Sequence, residues 1–187
     1  MKKYTAFVAL ILAMLSIFTS CRKTEEASLY VEVVAYRINE SDVNNVAAEL
    51  KKALPNCPDM DVSGISLDDP GAGFQIVVLM FASEIEFFIC DASVSEKLAA
   101  QGENFIALED LFSKEELSQF NGTGVSFPKY DDNNVLTGEM SHVCGLDLSE
   151  SENAVNLTGL ENPQIFIVAS AKNLEAAKDA FRYMATL

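Results

Sequence analysis

The stretch from Ile85 to Phe112, IEFFICDASVSEKLAAQGENFIALEDLF, limits the fold more than any other. Ile85-Glu86-Phe87-Phe88-Ile89-Cys90 is a nearly continuous apolar run of strand length, the pattern of a parallel strand covered on both faces. Asp91 ends the run. Ser93 and Glu96 stand three apart, as in a capping box, where the hydroxyl and the carboxylate each satisfy a backbone N–H left over at a helix start. Gly102 closes that helix where a left-handed residue costs least. With Phe105-Ile106-Ala107-Leu108 as a second strand, the stretch reads as a βαβ crossover. It predicts an α/β fold, a mostly parallel sheet flanked by helices.

The first residues read as targeting. Lys2 and Lys3 form a positive n-region, and Ala6 to Phe18 form an apolar segment too short for a comfortable membrane span. Thr19, Ser20 and Cys21 follow. That order resembles a bacterial lipoprotein signal, which implies that the Cys21 thiol takes a diacylglyceryl group and becomes the mature N-terminus. Acyl chains such as palmitate then anchor the chain, at about 0.8 kcal/mol per buried methylene. Phe18 stands where that signal has Leu, which leaves open an ordinary signal peptide cut nearby or an uncleaved anchor. The expected organisation is residues 1–20 as signal peptide, 21–27 as lipidated tether and 28–187 as a single α/β domain.

Charge narrows the partners. The chain has 28 acidic and 13 basic residues, a net charge of −15, and losing Lys2 and Lys3 with a leader takes it to −17. Such a surface repels phosphate backbones and anionic lipids, which excludes nucleic acid as a partner. Besides Cys21, the cysteines are Cys57, Cys90 and Cys144. Their number is odd, no CxxC occurs, and His142 is the one histidine, so no zinc ligand set is expected. A single disulfide among the three is compatible with an oxidising compartment, although Cys90 reads as a small buried hydrophobe.

Along the chain, Leu29 to Tyr36 is β-branched and aromatic, a first strand. Ser41 is expected to cap a helix with Val43, Val46, Ala47, Leu50 and Leu54 at 3.6-residue spacing, ended by Pro55. Met60 to Leu67 alternates as a more exposed strand. Asp69 as N-cap and Pro70 in the first turn then introduce Phe74 to Ala82, assigned to a helix because parallel strands need a crossover despite the β-branched Ile76, Val77 and Val78. Ser113 and Glu116 form a second capping box. Asn121 to Ser141 is irregular and rich in turn residues, with a short strand within Val125 to Tyr130. Val143 to Leu148 is a strand, Ser149 to Pro163 a polar loop, Gln164 to Ala169 a buried strand, and Asn173 caps a last helix.

Taken in this order, four features resemble an extracellular solute-binding protein of ABC importers, with type 2 periplasmic-binding-protein-like topology. They are Cys21 with its tether, the strand and helix through Leu54, the Ile85 to Phe112 passage, and QIFIVASAKNLEAAKDAFRYMATL, where Leu174 replaces a proline of the family's return-strand phrase. The resemblance implies a membrane-anchored, extracytoplasmic lipoprotein, at the cell surface or in the periplasm, that binds a small solute or delivers it to an ABC permease. Asn121 to Ser141 is too short to hold a second lobe. The chain therefore resembles one lobe, and the alternative is a non-catalytic module that kept the lobe without a pocket and docks another envelope protein.

No catalytic set is expected. His142 has no GxSxG elbow beside it, no carboxylate pair is singled out, and Asp131 to Asn134 lacks the alternation of a calcium loop. No cofactor or metal is implied. In open α/β sheets ligands gather beyond the carboxyl ends of the strands, which here points to Tyr36, Asp68, Asp69, Gly71, Gly73, Asp91 and Ser93. The acids suit a cationic or hydroxylated solute. The chain has no Trp to stack a sugar, a role left to Tyr36, Phe127 and Tyr130.

Overall fold

The computed structural model describes residues 29–57, 59–98, 104–131 and 135–187. The expected signal peptide and tether, Cys21, Gly102 and Asp132 to Asn134 lie outside the described residues. The strands are β1 (Leu29–Ala35), β2 (Met60–Ser66), β3 (Phe87–Asp91), β4 (Thr123–Val125), β5 (Pro128–Tyr130), β6 (Leu136–Met140), β7 (Gly145–Asp147) and β8 (Pro163–Ile167). The helices are α1 (Glu40–Ala53), α2 (Ala72–Phe81), α3 (Ala92–Leu98), α4 (Leu108–Leu111), α5 (Lys114–Leu117), α6 (Glu152–Thr158) and α7 (Leu174–Ala185).

The chain is α/β, a six-stranded sheet in the order β2-β1-β3-β8-β7-β4 flanked by helices. β2, β1 and β3 are parallel, joined by the α1 and α2 crossovers. β8 then lies antiparallel to β3, β7 to β8 and β4 to β7, so the sheet is mixed. Helices cover both faces of β1 and β3, which is why these strands are almost wholly apolar. On one face Val31, Val33, Phe87, Ile89, Ile165 and Ile167 pack under α1, α6 and α7. On the other, Val34, Ile65, Phe88 and Cys90 pack under α2 and Val94 of α3.

Beneath β8 and β7 that second face is closed by aromatic rings instead of a helix. Phe166 stacks on Phe105 at 4.5 Å and on Phe127 at 5.8 Å, and Phe88 lies 5.9 Å from Phe105. Gly145 makes room: a Cβ there would run into the Phe166 ring and the Ile165 carbonyl, so only glycine lets β7 pass so close.

Several local expectations are corrected. Phe105 to Leu108 is not a strand: Phe105 makes one antiparallel bridge to Val168, and α4 begins at Leu108. Beyond that bridge its apolar residues divide between the two faces, Phe105 joining the ring cluster and Ile106 and Leu108 the opposite core. The cap of α3 is not a Ser93–Glu96 box, because the helix begins at Ala92 and the Asp91 carboxylate accepts the Ser93 N–H at 3.0 Å. α2 is capped by Gly71 in the left-handed region (φ 89°), not by Asp69. Asn39, whose extended backbone turns into the helix, replaces Ser41 at the start of α1. The polar loop of 149–163 contains α6, capped by Ser151, whose hydroxyl accepts the Ala154 N–H, and ended by left-handed Gly159. The Ser113–Glu116 box and the Asn173 cap form as expected.

Candidate functional site

The carboxyl ends of β1, β2 and β3 meet along one edge of the sheet, because all three run the same way. There the β1 backbone continues one residue beyond the strand, where the Tyr36 carbonyl accepts the Ser66 hydroxyl at 2.8 Å and the Asp68 N–H at 3.3 Å. The Lys97 ammonium lies over the Tyr36 ring, 4.5 Å from its centre, and Arg37 pairs with Asp68 at 3.5 Å in the open. Tyr36 and Asp68 are therefore brought together, with a cation beside each.

Asp91 and Ser93 also meet, but each occupies the other. One Asp91 oxygen accepts both the Ser93 hydroxyl (2.6 Å) and the Ser93 N–H, and the second accepts the Asn162 N–H at 3.1 Å. Three donors on one carboxylate make Asp91 the pin between α3 and the loop before β8. Asp69, Gly71 and Gly73 are exposed at the entry to α2, and nothing lies within 4 Å of where a Cβ would stand on either glycine.

Among the described residues, two concavities are lined by other side chains. One of about 480 Å³ lies between Asn121, Gly122, Ser151 and Leu187. The other, of about 450 Å³, lies between the end of α1 (Pro55, Cys57) and one side of α7, from Asn173 to Tyr183. Neither is lined by Tyr36, Asp68, Asp69, Gly71, Gly73, Asp91 or Ser93.

The sequence reading passed over two buried polar devices. Glu86, 2% exposed, accepts the Tyr30 N–H at 3.0 Å and the Asn173 N–H at 2.6 Å, so one carboxylate ties β1 to the head of α7. Its signal was available: a lone acid inside an apolar strand must find donors or be too costly to bury. At the opposite edge the buried Ser95 hydroxyl donates to Gln164 Oε1 (2.6 Å), and Gln164 Nε2 donates to Asp147 (2.8 Å). Burial alone would raise the Asp147 pKa, but donors from Ser149 and Gln164 outweigh it and hold it below the usual value.

Reactive chemistry is weakly served. Cys57, Cys90 and Cys144 are buried thiols. Burial, with Asp91 next to it, pushes the Cys90 thiol well up, and burial pushes Cys144 up to about 11, both away from the nucleophilic thiolate. His142 Nδ1 pairs with Glu109 at 2.7 Å on the surface, but the neighbouring Ser141 hydroxyl donates to the His142 carbonyl, not to the ring. Among the described residues no group of three or more His, Cys, Asp or Glu side chains is placed to hold a metal ion. Nor, among them, is any helix long and apolar enough to cross a membrane.

The feature that stands out is apolar and lies on α2. Ala72, Ile76 and Met80 face the core, while Phe74, Val78 and Phe81 are 76%, 46% and 78% exposed. Spacings of four and three place the exposed trio in one stripe. No residue of α2 is charged. No protein-family model matches the chain, and no curated protein or solved structure matches it.

Proposed function

We propose that this chain is a non-catalytic lipoprotein module, held at an extracytoplasmic membrane surface through Cys21, that docks a partner protein on α2. The Phe74-Val78-Phe81 stripe carries the reading. A helix apolar on both sides has one side for its own core and a second that water disfavours, and contiguous exposed apolar surface marks association sites. Solute capture at the strand ends has less support: Asp91 is engaged by three backbone or hydroxyl donors.

The occupant is an amphipathic helix of an envelope protein, apolar along one stripe and basic at its flanks. Asp68 and Asp69 precede α2 and Glu84 follows it, so the stripe is neutral between acidic ends. A second copy of the chain would set acid against acid, at a net charge of −15 each. The test places a photo-crosslinking phenylalanine at Val78 in the full chain, in the cells that make it. A discrete heteromeric adduct is expected from position 78 and not from exposed Glu161. Phe74→Ser with Phe81→Ser should abolish it without lowering the melting temperature. Adducts that are absent, that contain only this chain, or that survive the double substitution overturn the proposal.

A further inference from the structure

Among the described residues, the β5–β6 hairpin is a second exposed apolar feature, and it belongs to a different part of the molecule. Val125 at the end of β4 pairs with Gly145 at the start of β7, and β7 pairs with β8 so that Gly145 lies opposite Phe166. Phe166 is opposite Phe88 and Ile167 opposite Phe87, at the start of β3. The chain therefore leaves β4 at the amino edge of the parallel strands, runs out through β5, and returns through β6 to the same edge. Its root is fixed. Phe127 is buried in the aromatic cluster, its N–H donates to the Ser141 hydroxyl at 2.9 Å and its carbonyl accepts the Ser141 N–H at 2.7 Å.

Beyond that root the described strand residues are all exposed. Pro128 pairs with Met140 and Tyr130 with Leu136, with a register shift between the two pairs, so each pair sets two apolar side chains opposite one another. Lys129 and Glu139 pair at 3.9 Å, and the Thr137 hydroxyl donates to the Lys129 carbonyl at 3.1 Å. Leu136 and Met140 are 59% and 55% exposed, with Val135 and Val143 beside them at 59% and 45%. A two-stranded hairpin is marginal in water unless something covers its apolar side.

The length of chain before β1 says what covers it. Leu29 is the first residue of β1 and lies at the amino edge, eight residues after Cys21. Eight residues reach at most about 28 Å. β4 is four strand spacings from β1 in the sheet order, about 19 Å. A lipid on Cys21 therefore lets the hairpin's edge of the sheet, where β1 begins, lie against the bilayer. Resting on that anchoring, we infer that the β5–β6 hairpin lays Tyr130, Leu136 and Met140 into the interface of the same membrane and so fixes the orientation of the domain. Tyrosine suits such a boundary, with its ring in the acyl region and its hydroxyl in the headgroups. The acidic chain makes a zwitterionic surface the better one.

The chain contains no Trp, so a single introduced Trp reports without background. Leu136→Trp in the full chain, purified from membranes and reconstituted into phosphatidylcholine vesicles, should emit to the blue. Its intensity should fall about twofold when the acyl chains carry bromine, as a shallow position 5–10 Å deep would. Phe74→Trp on α2 should be unaffected by bromine. Acylation of Cys21 is read on the same preparation from the mass of the N-terminal peptide. An acylated Leu136→Trp chain whose emission ignores bromine overturns this inference and leaves the anchoring reading standing; an unmodified Cys21 overturns the anchoring reading. Equal quenching at both positions, or a blue shift that grows with protein density and ignores bromine, as pairing with a second copy would give, also overturns it.

Discussion

α7 and α2 pack on opposite faces of the same sheet and solve burial differently. α7 buries Ala177, Ala180, Phe181, Met184 and Ala185 on one side and turns Glu175, Lys178, Asp179 and Arg182 outward. Its outer side is laced by Lys178–Glu175 at 3.1 Å and by Arg182, which reaches Asp179 at 2.7 Å and Glu116 at 3.1 Å. α2 buries three residues and shows water an equally apolar stripe. The polar half of an amphipathic helix marks the side that needs no partner. Where that half is missing, the core accounts for one side only, and the other meets water without a polar residue to suit it.

The contrast is sharpest for one substitution made on both helices. Phe181 is fully buried, edge-on to Phe87 at 6.3 Å and stacked on Phe112 at 5.2 Å. Phe181→Ala should cost about 3–5 kcal/mol and lower the melting temperature by on the order of 10 °C, read by calorimetry. A smaller loss means that the cluster around Phe112 and Phe120 collapses into the gap.

Next in size is Glu86→Ala. It leaves the Tyr30 and Asn173 N–H groups without their shared acceptor, at about 2–3 kcal/mol. Hydrogen exchange should show both amides losing protection, with the first turn of α7 opening earlier than its last. Uniform loss along α7 would mean that Glu86 stabilises the sheet and not that helix start.

A weaker effect is set by pH. Backbone and side-chain donors from Ser113, helped by Arg182, hold the Glu116 carboxyl below its usual value, and Asp147 is also held low. A folded pKa below the unfolded one means that the stability is complete above the unfolded carboxylate pKa, near 4, and is lost as pH falls through the folded value. Glu116→Gln with Asp147→Asn should therefore flatten the acid limb below about pH 5 in a melting series, leaving the neutral-to-alkaline slope unchanged. An unaltered acid limb would assign acid unfolding to other carboxylates.

What could be read from the chain followed the same division. β1, β3 and β8 were legible because strands covered on both faces are apolar throughout, and α7 because its solvent side is polar. Phe105 to Leu108 misled because residues plugging a sheet face are as apolar as residues within it. α6 was hidden by its polarity, since only Ala154 and Thr158 of its seven residues are buried. Around the candidate edge, the Tyr36–Asp68 proximity followed from parallel strands ending together. The role of Asp91 did not, because the choice between Asp91 and Ser93 as cap is settled by the Asn162 N–H, 71 residues away. The α2 stripe was visible as composition and silent as to direction: a helix apolar on every side gives no periodic sign of which side meets the core.

The smallest effect expected is the counterpart of the first. Phe81→Ala removes the same atoms as Phe181→Ala, but from a residue 78% exposed, so little buried area is lost and no cavity forms. Stability should change by no more than about 0.5 kcal/mol, with the same midpoint in dilute and concentrated samples. A loss above about 1 kcal/mol would mean that Phe81 is covered in the folded protein. If that loss also vanished on dilution, the cover would be a second copy of the chain, and α2 would be a self-association surface despite the charge that opposes it. A null result at both concentrations leaves the stripe uncovered in the isolated chain, the condition under which a heterologous helix can occupy it.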